Sequence, residues 1–237
     1  MPTERRSGSG SSPSEPGAPT SDKRRRWEAQ WQQRAGADFQ WYLSEPPPEL
    51  VELMAREDLP GGGALDLGCG PGVATASLAS RFSPAVGVDI ASGAVSQARA
   101  LAREKGKRAS FLVAEAPLLP FRDRSFGMVF DRGCLQAIPR NAWERYFREV
   151  DRLLVPGGML QLYVSKAARE FPPLLSARGV RLRVKWLKGK RGPQFVSPEL
   201  IRALLPGSMR ELELRQFPFR VAGGKLRNVT YGLFRKD

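Results

Sequence analysis

A chain of 237 residues holds one α/β domain with a substantial core and leaves little room for a second large one. It has no histidine, so Ser-His-Asp and Cys-His nucleophilic systems are excluded and any proton transfer falls to Asp, Glu, Tyr, Lys or water. The formal charge of +14 is concentrated late: residues 160–237 carry 17 basic and 5 acidic side chains, which points to an anionic partner or substrate there.

No apolar run reaches the roughly 18 residues of a membrane span and no apolar signal region stands near the N-terminus, so a cytoplasmic protein is expected. The two cysteines, Cys69 and Cys134, have neither metal-ligand spacing nor a disulfide framework; no metal is expected.

Residues 1–26 are rich in Ser, Gly, Pro and Arg without apolar periodicity and read as a disordered basic tail. The run Lys23-Arg24-Arg25-Arg26 has two readings, a nucleic-acid contact or a solvated charge run. Order is expected from Trp27, with the domain running over residues 27–237. Trp27, Trp31, Phe39, Trp41 and Tyr42 either pack on a sheet or close over a ligand. After three prolines, Leu50, Leu53 and Met54 share one face of a helix over 49–57.

Strands and helices then alternate. Strands are expected over 64–67, 85–89, 110–113, 126–130 and 159–164, and helices over 73–81, 94–104 and 142–154. This is the pattern of a Rossmann-like, doubly wound, mostly parallel sheet with helices on both faces. Ser92 is a candidate cap for one helix, and Asn141 with Glu144 a candidate capping box for another. A helix from Pro198 to Leu205 and strands over 211–217 and 229–235 suggest an antiparallel C-terminal hairpin. Between them, Arg178 to Arg191 holds seven basic residues and no acidic one, with Val180, Leu182, Val184 and Trp186 alternating against cations. It reads either as a cationic cover over an anionic ligand or as a charged edge strand.

The functional signal lies at Leu65-Asp66-Leu67-Gly68-Cys69-Gly70-Pro71-Gly72. A strand running into three alternating glycines lets the backbone bend and approach a ligand closely. Asp89, at the end of the next apolar run, is placed to accept from a ribose diol. Together they describe a nucleoside-containing cofactor lying across the carboxyl ends of parallel strands. The dull alternatives are a tight strand-to-helix connection for the glycines and a helix cap for Asp89. The spacing G-x-G-x-G, rather than G-x-G-x-x-G, leaves a dinucleotide open as well.

Residues 27–164 resemble the class I S-adenosylmethionine-dependent methyltransferases. Four segments carry the resemblance in order: Leu65 to Gly72, Val86-Gly87-Val88-Asp89, Leu118-Leu119-Pro120-Phe121 with Ser125-Phe126, and Leu153 to Gly158. Phe130-Asp131-Arg132-Gly133-Cys134-Leu135-Gln136-Ala137-Ile138-Pro139, leading into the Tyr146-Phe147 helix, is with Trp27 and Trp31 similar to the thiopurine methyltransferase-like branch, whose members methylate small, often soft nucleophiles. The resemblance implies a seven-stranded sheet and S-adenosylmethionine as cofactor. It places Gly68, Gly70 and Gly72 under the methionine and ribose, Asp89 on the ribose hydroxyls, and Asp66 by the cofactor amino group. Glu115 and Ala116 fall where the family receives adenine, although Glu115 is one methylene longer than the usual Asp.

Asp131 and Arg132 end the strand where sulfonium and nucleophile meet, which makes Asp131 a candidate cofactor contact and the first candidate base, with Tyr163 second. A structural ion pair of Asp131 with Arg132 or Arg152 is the alternative. Alignment of nucleophile, methyl carbon and sulfur can supply roughly 7–11 kcal/mol, so a base is optional. The region 165–196 is expected to cover a small-molecule substrate, an anionic one where the basic stretch serves as its cover. Rival readings are an RNA or protein methyltransferase using the basic C-terminal third, a binding module without turnover, and an NAD-dependent oxidoreductase.

Overall fold

A computed structural model describes residues 21–39, 41–167, 196–220 and 226–237. The basic stretch 178–191, most of the expected cover and residues 1–20 lie outside the described residues.

The elements are α1 (Ser21–Gln33), α2 (Pro48–Met54), β1 (Gly63–Leu67), α3 (Val73–Leu78), β2 (Ala85–Asp89), α4 (Ser92–Glu104), β3 (Ala109–Val113), β4 (Phe126–Arg132), α5 (Trp143–Leu153), β5 (Leu154–Ala167), α6 (Pro198–Leu204), β6 (Met209–Arg220) and β7 (Leu226–Lys236). Seven strands form one sheet in the order β3-β2-β1-β4-β5-β7-β6. The first five run parallel, and β7 is antiparallel to both β5 and β6. The strand order reverses between β1 and β4, so the chain opens a crevice at their carboxyl ends.

Both faces of the sheet are covered, which is why β1 is buried along its whole length and reads as a nearly continuous apolar run. On one face Leu65, Val129, Leu160 and Leu162 pack with Trp143, Phe147 and Val150 of α5 and Ile201 of α6. On the other, Ala64, Met128, Phe130, Met159 and Tyr163 meet Leu50 and Leu53 of α2 and Leu78 of α3. The alternation of side chains along each strand thus sorts neighbouring residues to opposite layers.

Three local expectations are corrected. Ser92 is not the cap of α4: that position is Ala91, and the Ser92 hydroxyl donates instead to Glu28 Oε1 at 2.6 Å. The Asn141–Glu144 capping box does not form, because a 3-10 turn over Arg140–Ala142 precedes α5 and makes Ala142 its N-cap. Helix α1 begins at Ser21, so residues 21–26 are helical although they read with the tail.

The reason for that early start is a pair of contacts the tail composition conceals. Glu28 accepts the backbone N–H of Ser92 at 2.7 Å and of Gly93 at 3.3 Å, capping α4 from another element. Lys23 Nζ donates to the carbonyl of Ala137 at 2.8 Å. Helix α1 therefore bridges the loops that follow β2 and β4. Truncating Glu28→Ala should free the first amides of α4, at a cost of about 1 kcal/mol typical of a lost cap. Amide hydrogen exchange should then accelerate in α1 and the first turn of α4 while the strands stay protected; unchanged exchange in α1 would contradict the clamp.

Candidate active site

The bend after β1 has all three glycines in the left-handed region, with φ of 66° at Gly68, 52° at Gly70 and 83° at Gly72. At Gly72 a side chain is also barred by packing: an added Cβ would lie 2.8 Å from the Cβ of Ala98, so α4 can approach only because nothing is there. At Gly70 the missing Cβ faces the rings of Trp31 and Trp41, each at 3.5 Å.

Those rings belong to a stacked group. Trp31 and Phe39 are 4.6 Å apart by centroid, Phe39 and Trp41 4.8 Å. Trp31 is buried against Ala91 and Ala94, with Trp27 packed beside it, while Trp41 remains 43% exposed. The N-terminal aromatics therefore pack on one another, with Trp31 and Trp41 standing beside Gly70 of the bend.

Asp89 is 9% exposed and faces the bend. Its Oδ2 accepts from the Gly70 N–H at 3.0 Å and its Oδ1 from the Ala91 N–H at 2.9 Å. The Ile90 N–H acts on the same carboxylate, and of its roughly four acceptor sites at least one stays open to a ligand hydroxyl. Burial raises the Asp89 carboxyl above its ordinary range, opposed by these N–H donors. The residues fit a nucleoside cofactor: a cradle without side chains, and beside it a carboxylate with a spare acceptor site.

Asp66 lies on the α3 side of the sheet, 2% exposed, with Oδ2 accepting from Thr75 Oγ1 at 2.6 Å. Burial pushes it up to about 7, against the pull of Thr75. Glu115 and Ala116 follow β3. The Glu115 carbonyl accepts the Leu118 N–H at 2.8 Å, its carboxyl is half-buried and raised by that burial, and Ala116 is buried.

Asp131 points into the opposite layer, toward α5. It is 0% exposed. Its Oδ1 accepts from Cys134 N at 2.8 Å, and its Oδ2 from Leu135 N at 3.0 Å and the Tyr146 hydroxyl at 2.6 Å. Burial raises it to about 6, opposed by the Tyr146 hydroxyl and the backbone N–H groups of Cys134, Leu135 and Gly133. A carboxylate so occupied holds the turn after β4 and faces no solvent from which a substrate proton could come.

Neither expected ion pair is present. Arg132 instead donates from Nε to Glu49 Oε1 at 2.7 Å and lies over the Tyr163 ring at 5.0 Å, while Arg152 pairs with Glu149 and Asp123. Tyr163 is buried under Arg132, and burial raises its hydroxyl above the ordinary range. Among the described residues, no group of three or more His, Cys, Asp or Glu side chains is arranged to hold a metal ion, and no helix is long and apolar enough to cross a membrane.

Residues 64–158 match the family described as "Methyltransferase domain". Over that stretch, which is less than half of its length, the chain is similar to methyltransferase domains. The stretch runs from β1 into β5 and contains the glycine bend, Asp66, Asp89, Glu115, Ala116 and Asp131. S-adenosylmethionine is the cofactor of such a domain.

Among curated relatives, the chain is 33% identical over 135 residues to a 2-heptyl-1-hydroxyquinolin-4(1H)-one methyltransferase of Mycobacteroides abscessus, covering 56% of this chain and 58% of the relative. It is 30% identical over 151 residues to a trans-aconitate 2-methyltransferase of Variovorax paradoxus, covering 62% and 56%. The chain thus spans less than two thirds of the length of these relatives. A solved structure described under the conversion of a disulfide bond into a thioacetal group during echinomycin biosynthesis shares the fold, with a TM-score of 0.68 and 22% identity over 90% of this chain and 92% of the other.

Two predictions follow from the buried carboxylates. In the folded protein Asp66 and Asp131 hold protons up to about pH 7 and 6, whereas unfolded carboxyls release them near 3.8. The folded state therefore binds more protons across that window, and stability should fall as pH rises through it, then level off. Urea unfolding across the window should show this slope, and Asp66→Asn should flatten it; an unchanged slope in the variant would remove Asp66 from the account. Tyr146→Phe leaves Asp131 one donor short and should cost about 1–3 kcal/mol in the same measurement.

Proposed function

We propose that this protein transfers a methyl group from S-adenosylmethionine to a small-molecule nucleophile. The single observation that carries the reading is the Asp89 carboxylate fixed at the edge of the glycine bend with acceptor capacity to spare. When bound, the cofactor supplies an electrophilic methyl on a sulfonium; the work of this chain is to hold and align.

In this reading Gly68, Gly70 and Gly72 let the main chain lie under the methionine and ribose. Asp89 takes the ribose hydroxyls, and Asp66 stands by the amino group. Glu115 and Ala116 receive the adenine, and Trp31 and Trp41 exclude water from above. Asp131 supports the turn and takes no proton from the acceptor; a nucleophile that arrives as an anion needs no base, and orientation supplies the rate.

The small-molecule reading draws on the relatives, two of which are named for small acceptors. Arg132 supports the anionic character of the acceptor. It ends β4 partly exposed, with Nε held by Glu49, and its Nη2 has no hydrogen-bond partner among the described residues. The segment 131–139 with Trp27 and Trp31 supports the thiopurine methyltransferase-like branch. A cytoplasmic location accords with the cysteine usage.

Calorimetry on the full chain tests the cofactor. S-adenosylmethionine and S-adenosylhomocysteine should bind and NAD should not. Asp89→Ala should weaken binding roughly tenfold to a hundredfold, the worth of hydrogen bonds to a charged group. Binding of NAD alone, or a variant equal to the parent, would overturn the proposal.

A further inference from the structure

We propose that the rim formed by the β3–β4 connection, α5 and the start of α1 is a docking surface for anionic lipid headgroups. At its centre stands Leu118, 62% exposed, on a turn closed by its own bridge to Glu115. The next amide, Leu119 N–H, donates to Glu149 Oε1 at 2.8 Å and lays this turn along α5. Arg145 precedes Glu149 by one helical turn and so shares its face, with exposed Arg148 beside it. Lys23 on the Ala137 carbonyl brings the basic first turn of α1 to the same place, and Arg24 and Arg145 both lie near enough to Glu115 to act on its carboxyl. Arg140 spreads over the Trp143 ring at 5.2 Å.

The acids here do not offset these cations. Among the described side chains, Glu149 and the exposed Asp123 are held by Arg152, Glu115 is half-buried, and exposed Glu144 is left against Lys23, Arg24, Arg140, Arg145 and Arg148. An exposed apolar side chain on a turn flanked by guanidinium groups is what an anionic bilayer surface recognises: the cations meet headgroup charge while the leucine enters the acyl boundary. Single-stranded nucleic acid calls for exposed aromatic platforms, and the ring in this rim, Trp143, is buried.

Co-sedimentation of the full chain with vesicles tests this. The protein should pellet with phosphatidylcholine vesicles containing phosphatidylserine, not with phosphatidylcholine alone, and the association should weaken as salt rises. Arg145→Glu with Arg148→Glu should lower partitioning roughly tenfold or more, since each basic group near such a surface contributes a comparable factor. Leu118→Asp should lower it roughly tenfold or more, about the worth of an inserted apolar side chain. Unchanged circular dichroism would show that both variants fold. Equal pelleting with neutral vesicles, or full pelleting of both variants, would overturn the proposal. Competition by single-stranded RNA that tolerates Leu118→Asp would overturn it in favour of nucleic acid.

Discussion

The hydrogen bond from the Gly70 amide to Asp89 is the constraint on which the site depends. Together with the bond from the Cys69 N–H to the Val88 carbonyl at 2.9 Å, it ties the bend after β1 to the end of β2. The backbone bond holds the main chain of the bend, and the Gly70 amide adds a donor without which the buried carboxylate would be less well satisfied. Joined, they make a fixed concave edge in which the backbone supplies shape and the acid supplies polarity. The neighbouring carboxylate oxygen, bound to the Ala91 amide, fixes the second end of the same group. No rotation is then left to the side chain, and a ligand meets it already oriented.

Around this edge the three buried acids divide by layer. Asp66 and Asp131 come from neighbouring parallel strands, yet one turns toward α3 and the other toward α5. Their hydrogen-bond partners follow from that division. Thr75 serves the first and Tyr146 the second, and each hydroxyl offsets part of the cost of keeping a carboxyl out of water. Asp131 so gains a structural office that its place at a strand end does not disclose.

Most of the sheet was legible because parallel strands buried on both sides read as short apolar runs, and because Gly and Pro punctuate them. The runs at 85–89 and 109–113 fall within a residue of expectation. The glycine bend and Asp89 were legible for a related reason: their chemistry is local to two adjacent strand ends. What escaped depends on tertiary register. Glu28 sits in a polar, arginine-rich stretch with no apolar period, so nothing in its surroundings announces that its carboxylate caps a helix 64 residues later. The bond between Tyr146 and Asp131 requires knowing which face of α5 lies on β4. The failed capping box shows the converse, since Asn141 and Glu144 satisfy the spacing while a 3-10 turn moves the helix start past them.

The clamp made by α1 bears on where this domain ends as a physical object. The methyltransferase match stops at 64–158, but the rings beside Gly70 of the bend are those of Trp31 and Trp41, and the first amides of α4 are satisfied by Glu28. On the other side β7 completes the pairing of β5. A fragment cut to the matched boundaries would carry Asp66, the three glycines, Asp89, Glu115 and Ala116, which are proposed to serve the cofactor, together with Asp131, and still be an open sheet edge with a bend stripped of those rings. The unit of recognition by sequence is therefore smaller than the unit of folding, and the difference is made up by segments whose composition gives the least notice of their importance.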